Sequence, residues 1–172
     1  SWHPDGHYAL VLGLKGQVAK VELENWTTTL LTTLGKHVAD VELTLDGSTF
    51  VIVGRTANDQ GMLWLYHPET NTTEEVKIPT GEPIAIAREP GFNRFAIGAR
   101  HANNINMLYT YAPETGLSAP KGYNGPGISD LMWGDPALTP GSANVITSDG
   151  LNGAGSQTWI VSNNTVTSNA WP

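Results

Sequence analysis

The sequence predicts an all-β protein made of four repeated units, and three observations carry that expectation. Helical periodicity is nearly absent. The best amphipathic stretch, residues 26–34, is filled with the β-branched residues Thr27, Thr28, Thr29, Thr32 and Thr33, which favour a strand. Short apolar runs are broken at close intervals by Gly, Pro, Asn and Asp, the punctuation of strands joined by turns. The turn signals also recur: Gly6, Gly47, Gly91 and Gly141 are 41, 44 and 50 positions apart, and the Pro-Glu-Thr turns that begin at Pro68 and Pro113 are 45 apart.

The elements follow in order. His3-Pro4-Asp5-Gly6 is a tight turn, because Asp-Gly supplies a side-chain acceptor and a residue at ease with positive φ. It leads into a strand at 7–14, a turn at Lys15-Gly16, and strands at 17–23 and 26–34. The second unit has strands at 38–45, 48–54, 62–66 and 72–78, with turns at Asp46-Gly47 and Pro68-Glu69-Thr70-Asn71. The third has strands at 83–88, 93–99 and 107–111, with turns at Glu89-Pro90-Gly91-Phe92 and Pro113-Glu114-Thr115-Gly116. The fourth has strands at 128–133, 142–148, 157–161 and 165–168, with a turn ending at Pro140-Gly141.

Each unit therefore reads as strands a, b, c and d in an antiparallel meander of roughly 40–50 residues, the blade of a β-propeller. One blade cannot bury both of its faces. Neighbours packed face to face bury the rows Leu10 and Leu12, Val51 and Val53, Phe95 and Ile97. The expected units are residues 1–37, 38–82, 83–127 and 128–172 of a single propeller domain. Unit one keeps only Ser1-Trp2 of its strand a. Either residues 165–172 supply the missing strand, or the chain is part of a larger ring. The second is expected, since propellers commonly reach roughly six to eight blades.

Several segments resemble known propeller families. Trp2-His3-Pro4-Asp5-Gly6-His7-Tyr8-Ala9 looks like the junction of strands a and b in WD40-like and TolB-like propellers. Leu30-Leu31-Thr32-Thr33-Leu34-Gly35-Lys36-His37 is similar to the end of a WD40 blade, where a glycine-histidine pair precedes the next strand a; here Lys36 stands between the two. Met62-Leu63-Trp64-Leu65-Tyr66 sits where WD40 repeats end strand c in Trp-Asp, without the Asp. The resemblance implies blades of the WD40-like, TolB-like and YncE-like superfamily, with no subfamily singled out. It also implies that His37 is a structural histidine joining strand d to the next strand a.

Composition excludes several functional classes. Hydrophobic residues make up 40% and charged residues 15%, which argues for a packed domain rather than a disordered chain. The net charge of −7 is the wrong sign for a phosphate-backbone binder, so no nucleic-acid partner is expected. The absence of cysteine removes thiol catalysis, disulfides and cysteine-ligated zinc. No apolar run approaches the roughly 18–20 residues of a membrane span.

The loops between strands b and c are the place to look for chemistry, since rigid scaffolds carry function on their loops. Arg55, Asn58 and Asp59 occupy this loop in unit two, and Arg100, His101, Asn103 and Asn104 in unit three; Asp149 and Asn152 occupy it in unit four. Arg55 and Arg100 are 45 positions apart, the same spacing as the Pro-Glu-Thr turns, so both are expected to project to one rim and reach solvent. Arginine offers a planar fork of donors and asparagine both a donor and an acceptor. Such a rim suits carboxylate, sulfate or sugar hydroxyls. The same residues also serve loop backbone, and both readings stay open.

Elsewhere the chemistry is sparse. His3, Asp5 and His7 alternate, but no further ligand stands at a telling spacing, and no metal or cofactor is expected. No Gly-x-Ser-x-Gly elbow is present, so no catalytic residue is assigned. Asp40 and Asp130 each lie near the start of a strand a and read as structural. Trp64, Trp133 and Trp159 read as core, Trp26 and Trp171 as exposed, and His67 and His101 as solvent-facing. Asn25, Asn71 and Asn163 begin Asn-x-Thr sequons.

The expected function is a non-catalytic module that binds a protein or glycan partner through the polar b–c loops, at the cell surface or outside the cell. The alternatives are a propeller-fold lyase or glycoside hydrolase with part of its site outside this chain, and a structural surface or virion component. Further propeller blades or another copy of the chain are the other expected partners.

Overall fold

The computed structural model describes residues 1, 3, 5–35, 37–101, 105–124, 128, 130–133, 143–148, 157–162 and 165–170; for 123, 124 and all those beyond 133 only the backbone is described. The chain divides into two compact units, Ser1–Pro83 and Ile84–Pro172. All regular structure among the described residues is strand.

The first unit holds two antiparallel sheets. One is β1 (Tyr8–Leu12), β2 (Gln17–Glu22) and β3 (Thr28–Thr33), in that order. The stretch expected as the remnant of strand a runs along β1: the amide of Leu10 donates to Ser1 O at 2.8 Å, and that of His3 to Tyr8 O at 3.0 Å. β1 ends two residues before the expected Leu14. The amide of Gly13 already donates to Gln17 O at 2.8 Å, which closes the hairpin and leaves Leu14 93% exposed in the turn. The threonine-rich segment is a strand, as its β-branched residues dictate.

The other sheet is β4 (His37–Leu43), β5 (Phe50–Arg55), β6 (Gly61–His67) and β7 (Thr72–Lys77). β5 is buried along nearly its whole length, with Val51 and Val53 on one face and Phe50 and Ile52 on the other. That is the signature of a strand with packing on both sides. The two sheets share one core, in which Leu10 and Val18 of the first meet Val41, Phe50, Ile52, Trp64 and Tyr66 of the second. Gly35 (φ 53°) lies at their junction. A Cβ there would meet the Arg55 carbonyl and come within 2.8 Å of Trp64 Cη2, so the glycine of the expected glycine-histidine pair makes room for Trp64.

The second unit begins with β8 (Glu82–Arg88), whose first two residues belong to the first unit, followed by β9 (Phe95–Arg100) and β10 (Ile105–Ala112). The outer strand of this sheet is split, a departure from the expected meander. β11 (Gly116–Leu117) pairs with Tyr111 and Ala112, and β12 (Lys121–Asn124) with Ile105 to Leu108. Pro120, which has no amide hydrogen, falls in the gap, and Ser118 fills it by donating its amide to Thr110 O at 2.8 Å and accepting the Thr110 amide at 2.9 Å. The last sheet is β13 (Asp130–Trp133), β14 (Ala143–Ser148), β15 (Gln157–Ser162) and β16 (Thr165–Ala170). β16 pairs with β15 as the fourth strand of its own sheet, so this segment is strand d there. The core of the second unit is made of smaller side chains: Ala85, Ala87 and Ala96 pack with Leu108, Ile128, Leu131 and Trp133. The Trp133 indole donates to Ala87 O at 2.6 Å.

Three of the four expected a–b turns carry their glycine at positive φ, at Gly6, Gly47 and Gly91 (71°, 72° and 78°). The fourth, Pro140-Gly141, lies outside the described residues.

Candidate functional site

The b–c loop of the second sheet runs from Arg55 to Gly61 and is tied down from within. The Thr56 amide donates to Gln60 O and the Asp59 amide to Thr56 O, both at 3.0 Å. Asp59 holds φ at 59°, a conformation that Asp tolerates better than most residues. The Gln60 side-chain amide donates to Ile78 O at 2.9 Å, fastening the loop to the end of β7. What the loop presents to solvent is Ala57, Asn58, Asp59 and Gln60.

Arg55 does not extend freely from this loop. Its side chain is 27% exposed, and Nη2 lies 3.1 Å from Glu82 Oε1 at the start of β8. Nη1 is 3.7 Å from Asp59 Oδ1, and Nε is buried without a hydrogen-bond partner. The guanidinium therefore clamps the loop between its own tip and the start of the next strand. Sequence reasoning missed Glu82, because its distance from Arg55 follows no repeat.

Arg100 stands at the same place in the next sheet and is in other circumstances. It ends β9, is exposed, and has no acidic partner among the described residues. His101 follows it, also exposed, with its amide donating to Ile105 O at 2.8 Å to close the loop. Asn103, Asn104, Asp149 and Asn152 lie outside the described residues, as do Trp171 and the Asn163 sequon.

The remaining expectations sort by burial. Trp64 and Trp133 are core, and Trp26 is 74% exposed. The side chain of Trp159 is outside the description. His67, expected in solvent, is half-buried. Its Nδ1 is 3.2 Å from Thr49 Oγ1 and its Nε2 is 3.5 Å from Glu74, because the β5–β6 register continues to put Thr49 opposite it and β7 brings Glu74 diagonally alongside. His37 is half-buried at the start of β4, with a buried Nδ1 that has no partner. Asp40 and Asp130 each accept the amide of the following residue at 2.8 Å, a backbone-supporting use. Among the described residues no three His, Asp or Glu side chains come together as a metal site. No helix among them is long and apolar enough to cross a membrane.

The edge opposite the Arg55 loop carries more geometry than its sequence suggested. Asp46 Oδ1 accepts from Thr44 Oγ1 at 2.7 Å, from Ser48 Oγ at 2.9 Å and from the Ser48 amide at 3.1 Å. The Thr44 hydroxyl first, then the Ser48 amide and hydroxyl, hold this carboxyl below its usual range. His3 stacks on Tyr8 with ring centroids 4.4 Å apart, and its Nδ1 accepts the Asp5 amide at 3.2 Å. The Asp5 carboxylate lies 3.7 Å from the same Nδ1.

No family model matches the chain, and no curated protein does. Solved structures do. Kuenenia stuttgartiensis hydrazine synthase is similar with a TM-score of 0.77 at 10% identity, over 99% of this chain and 52% of that one. The WD40 repeats of RRP9 give a TM-score of 0.69 at 9% identity, over 99% of this chain and 49% of that one. A chain of the mitotic checkpoint complex gives 0.64 at 17% identity, over 98% of this chain and 62% of that one. The present chain thus spans about half the length of the first two and under two thirds of the third. At such identities the likeness concerns the fold, which is all-β with antiparallel sheets of three to five strands. Repeat, sheet topology and structural likeness together show a β-propeller fold built of antiparallel blades, with no subfamily distinguished.

Proposed function

We propose that the chain is a non-catalytic binding module that recognises a protein or glycan partner through its b–c loops. The observation that carries this reading is the loop after β5. Its backbone is fixed by its own hydrogen bonds and by the Arg55 clamp, so Asn58 and Asp59 are presented without a large ordering cost on binding. Arg100 and His101 offer an exposed cation and an imidazole in the corresponding loop of the other unit. The likeness to WD40 repeats and to a chain of a multiprotein complex supports a partner of protein nature. Cell-surface or extracellular placement belongs to the same reading. The exposed Asn25 and Asn71 sequons supply its test, as mass lost on glycosidase treatment of the natively produced protein.

Panning a displayed peptide library and a glycan array on the chain tests the reading directly. Ligands so selected are expected to lose about 1–3 kcal/mol of affinity on Arg100→Ala, the usual worth of a charge-assisted hydrogen bond, and to be rescued poorly by Lys. Ligands indifferent to substitution of Arg100, Asn58 and Asp59 alike would end it.

A further inference from the structure

Strand register gives the β1–β3 sheet two faces of opposite character. Leu10 and Val18 point into the core shared with the β4–β7 sheet. Alternation therefore sends Ala9 and Val11 of β1 and Ala19 and Val21 of β2 to the other face, where Leu30 of β3 stands opposite Ala19. None of these five is buried; Val11 is 48% exposed and Leu30 59%. The only charged residues of the three strands, Lys20 and Glu22, stand opposite Leu10 and Tyr8 and so belong to the core side. A solvated sheet face ordinarily carries the polar residues of the alternation. Here the open face is the uncharged one, with an aliphatic row, Val11, Ala19 and Leu30, running across all three strands.

Two cores within the chain show what such a face takes. In the first, the β4–β7 sheet turns Val41, Leu43, Phe50 and Ile52 to Leu10 and Val18 of the sheet before it. In the second, the β13–β16 sheet turns Leu131 and Trp133 to Ala85, Ala87, Ala96 and Leu108 of the sheet before it. Each core thus joins the successor side of one sheet to the predecessor side of the next. Leu10 is on the successor side of the β1–β3 sheet, so the open face is its predecessor side. The β13–β16 sheet leaves the matching kind of face open. Met132, between buried Leu131 and Trp133, points away from that core and is 58% exposed. Asp130 shares its face and holds its carboxylate on the Leu131 amide at 2.8 Å, as Asp40 does on the Val41 amide in the β4–β7 sheet.

We propose that these two faces bind each other between copies of the chain: the β1–β3 sheet of one copy covers the β13–β16 sheet of a second. The occupant follows from the pairing rule of the two cores, and each copy carries both halves of the match. The contact is heterologous, since two different surfaces meet. Its driving force is removal of Val11, Leu30 and Met132 from water. It is separate from the b–c loops, and either surface can fail without the other.

Sedimentation equilibrium of the purified chain tests the proposal. The apparent mass is expected to rise above that of one chain as concentration increases. Val11→Lys and Met132→Lys alter exposed positions, so the fold should survive, which circular dichroism and urea unfolding check. Each should weaken association by about tenfold or more, because a charge would be buried in an apolar contact, and Leu30→Lys should repeat the result on another strand. Phe92→Lys, at 61% exposure in the β8–β9 turn, is the control and should change association by about twofold or less. The Val11→Lys and Met132→Lys variants each keep one intact face, and those two faces match. Their mixture should therefore associate more strongly than either variant alone. A chain that stays monomeric at every concentration would overturn the proposal. So would equal weakening by Phe92→Lys, which would mean general apolar adhesion, or a mixture that associates no better than its components.

Discussion

Arg55 and Arg100 leave corresponding strands, 45 positions apart, and end in different circumstances. The first is half-buried against Glu82 and Asp59; the second is exposed, with no acidic partner among the described residues. The repeat explains why both stand directly after strand b. It does not explain the partner, which comes from a residue outside the periodic pattern. Glu82 lies 27 positions after Arg55, and 27 positions after Arg100 the sequence has Gly127. One arginine thus became a structural clamp and the other stayed exposed. Equivalence of position in a repeat fixes the backbone, and equivalence of role needs the neighbours too.

The sharpest contrast of this kind is between two tryptophans. Trp64, 1% exposed in the shared core of the first unit, should cost about 3–5 kcal/mol when replaced by Ala. Trp26, exposed at the β2–β3 turn, should cost only about 0.5 kcal/mol. Urea unfolding of the two variants measures both, and similar values would break the burial assignment.

Gly35 comes next, because it bears on the surroundings of the clamp. Gly35→Ala forces a side chain into positive φ and against Trp64 and the Arg55 carbonyl. It should cost about 2–4 kcal/mol, from left-handed strain together with overpacking. Gly91→Ala has the same φ problem in open space and should cost about 1 kcal/mol. Equal losses at the two sites would remove the close approach from the account.

Asp46 gives the smallest effect and the clearest pH signature. Its carboxyl is held low in the folded chain by Thr44 and Ser48. A lowered folded value means that its contribution is complete above the ordinary Asp value of about 3.9 and is lost as pH falls through the lower folded value. Asp46→Ala should therefore be less stable than the parent by about 1 kcal/mol at neutral pH, the order of one net hydrogen bond, and the gap should close in acid. A gap that stays constant down to acid pH would show that the turn does not depend on the ionised carboxylate.

Much of the fold was legible in the sequence because it is written in short-range signals. Asp-Gly and Pro-Gly turns, the threonine-rich run from Thr27 to Thr33, and the continuous apolar run of β5 all act over a few residues. Local signals also misled. Leu14 read as strand but lies in the turn, because the Gly13 to Gln17 hydrogen bond closes the hairpin early. The split of the third sheet's outer strand turns on Ser118 and Pro120, whose effect depends on what Thr110 opposite them requires. The candidate sites were less legible. The Arg55 loop was found by spacing, but its clamp was not. Asp5, Asp46 and Glu69 come from three turns that each read as ordinary, and only the packing of the first unit's two sheets sets them along one edge.

The most direct test of the central contrast is a double-mutant cycle on Arg55 and Glu82, run beside Arg100→Ala. Arg55→Ala and Glu82→Ala should each destabilise the chain by about 1 kcal/mol, and together by clearly less than the sum. The coupling expected for a half-buried pair at 3.1 Å is about 0.5–1 kcal/mol. Arg100→Ala should change stability by no more than about 0.5 kcal/mol. That pattern is the result expected of one clamped and one available arginine. Zero coupling between Arg55 and Glu82, or a loss at Arg100 as large as that at Arg55, would contradict it.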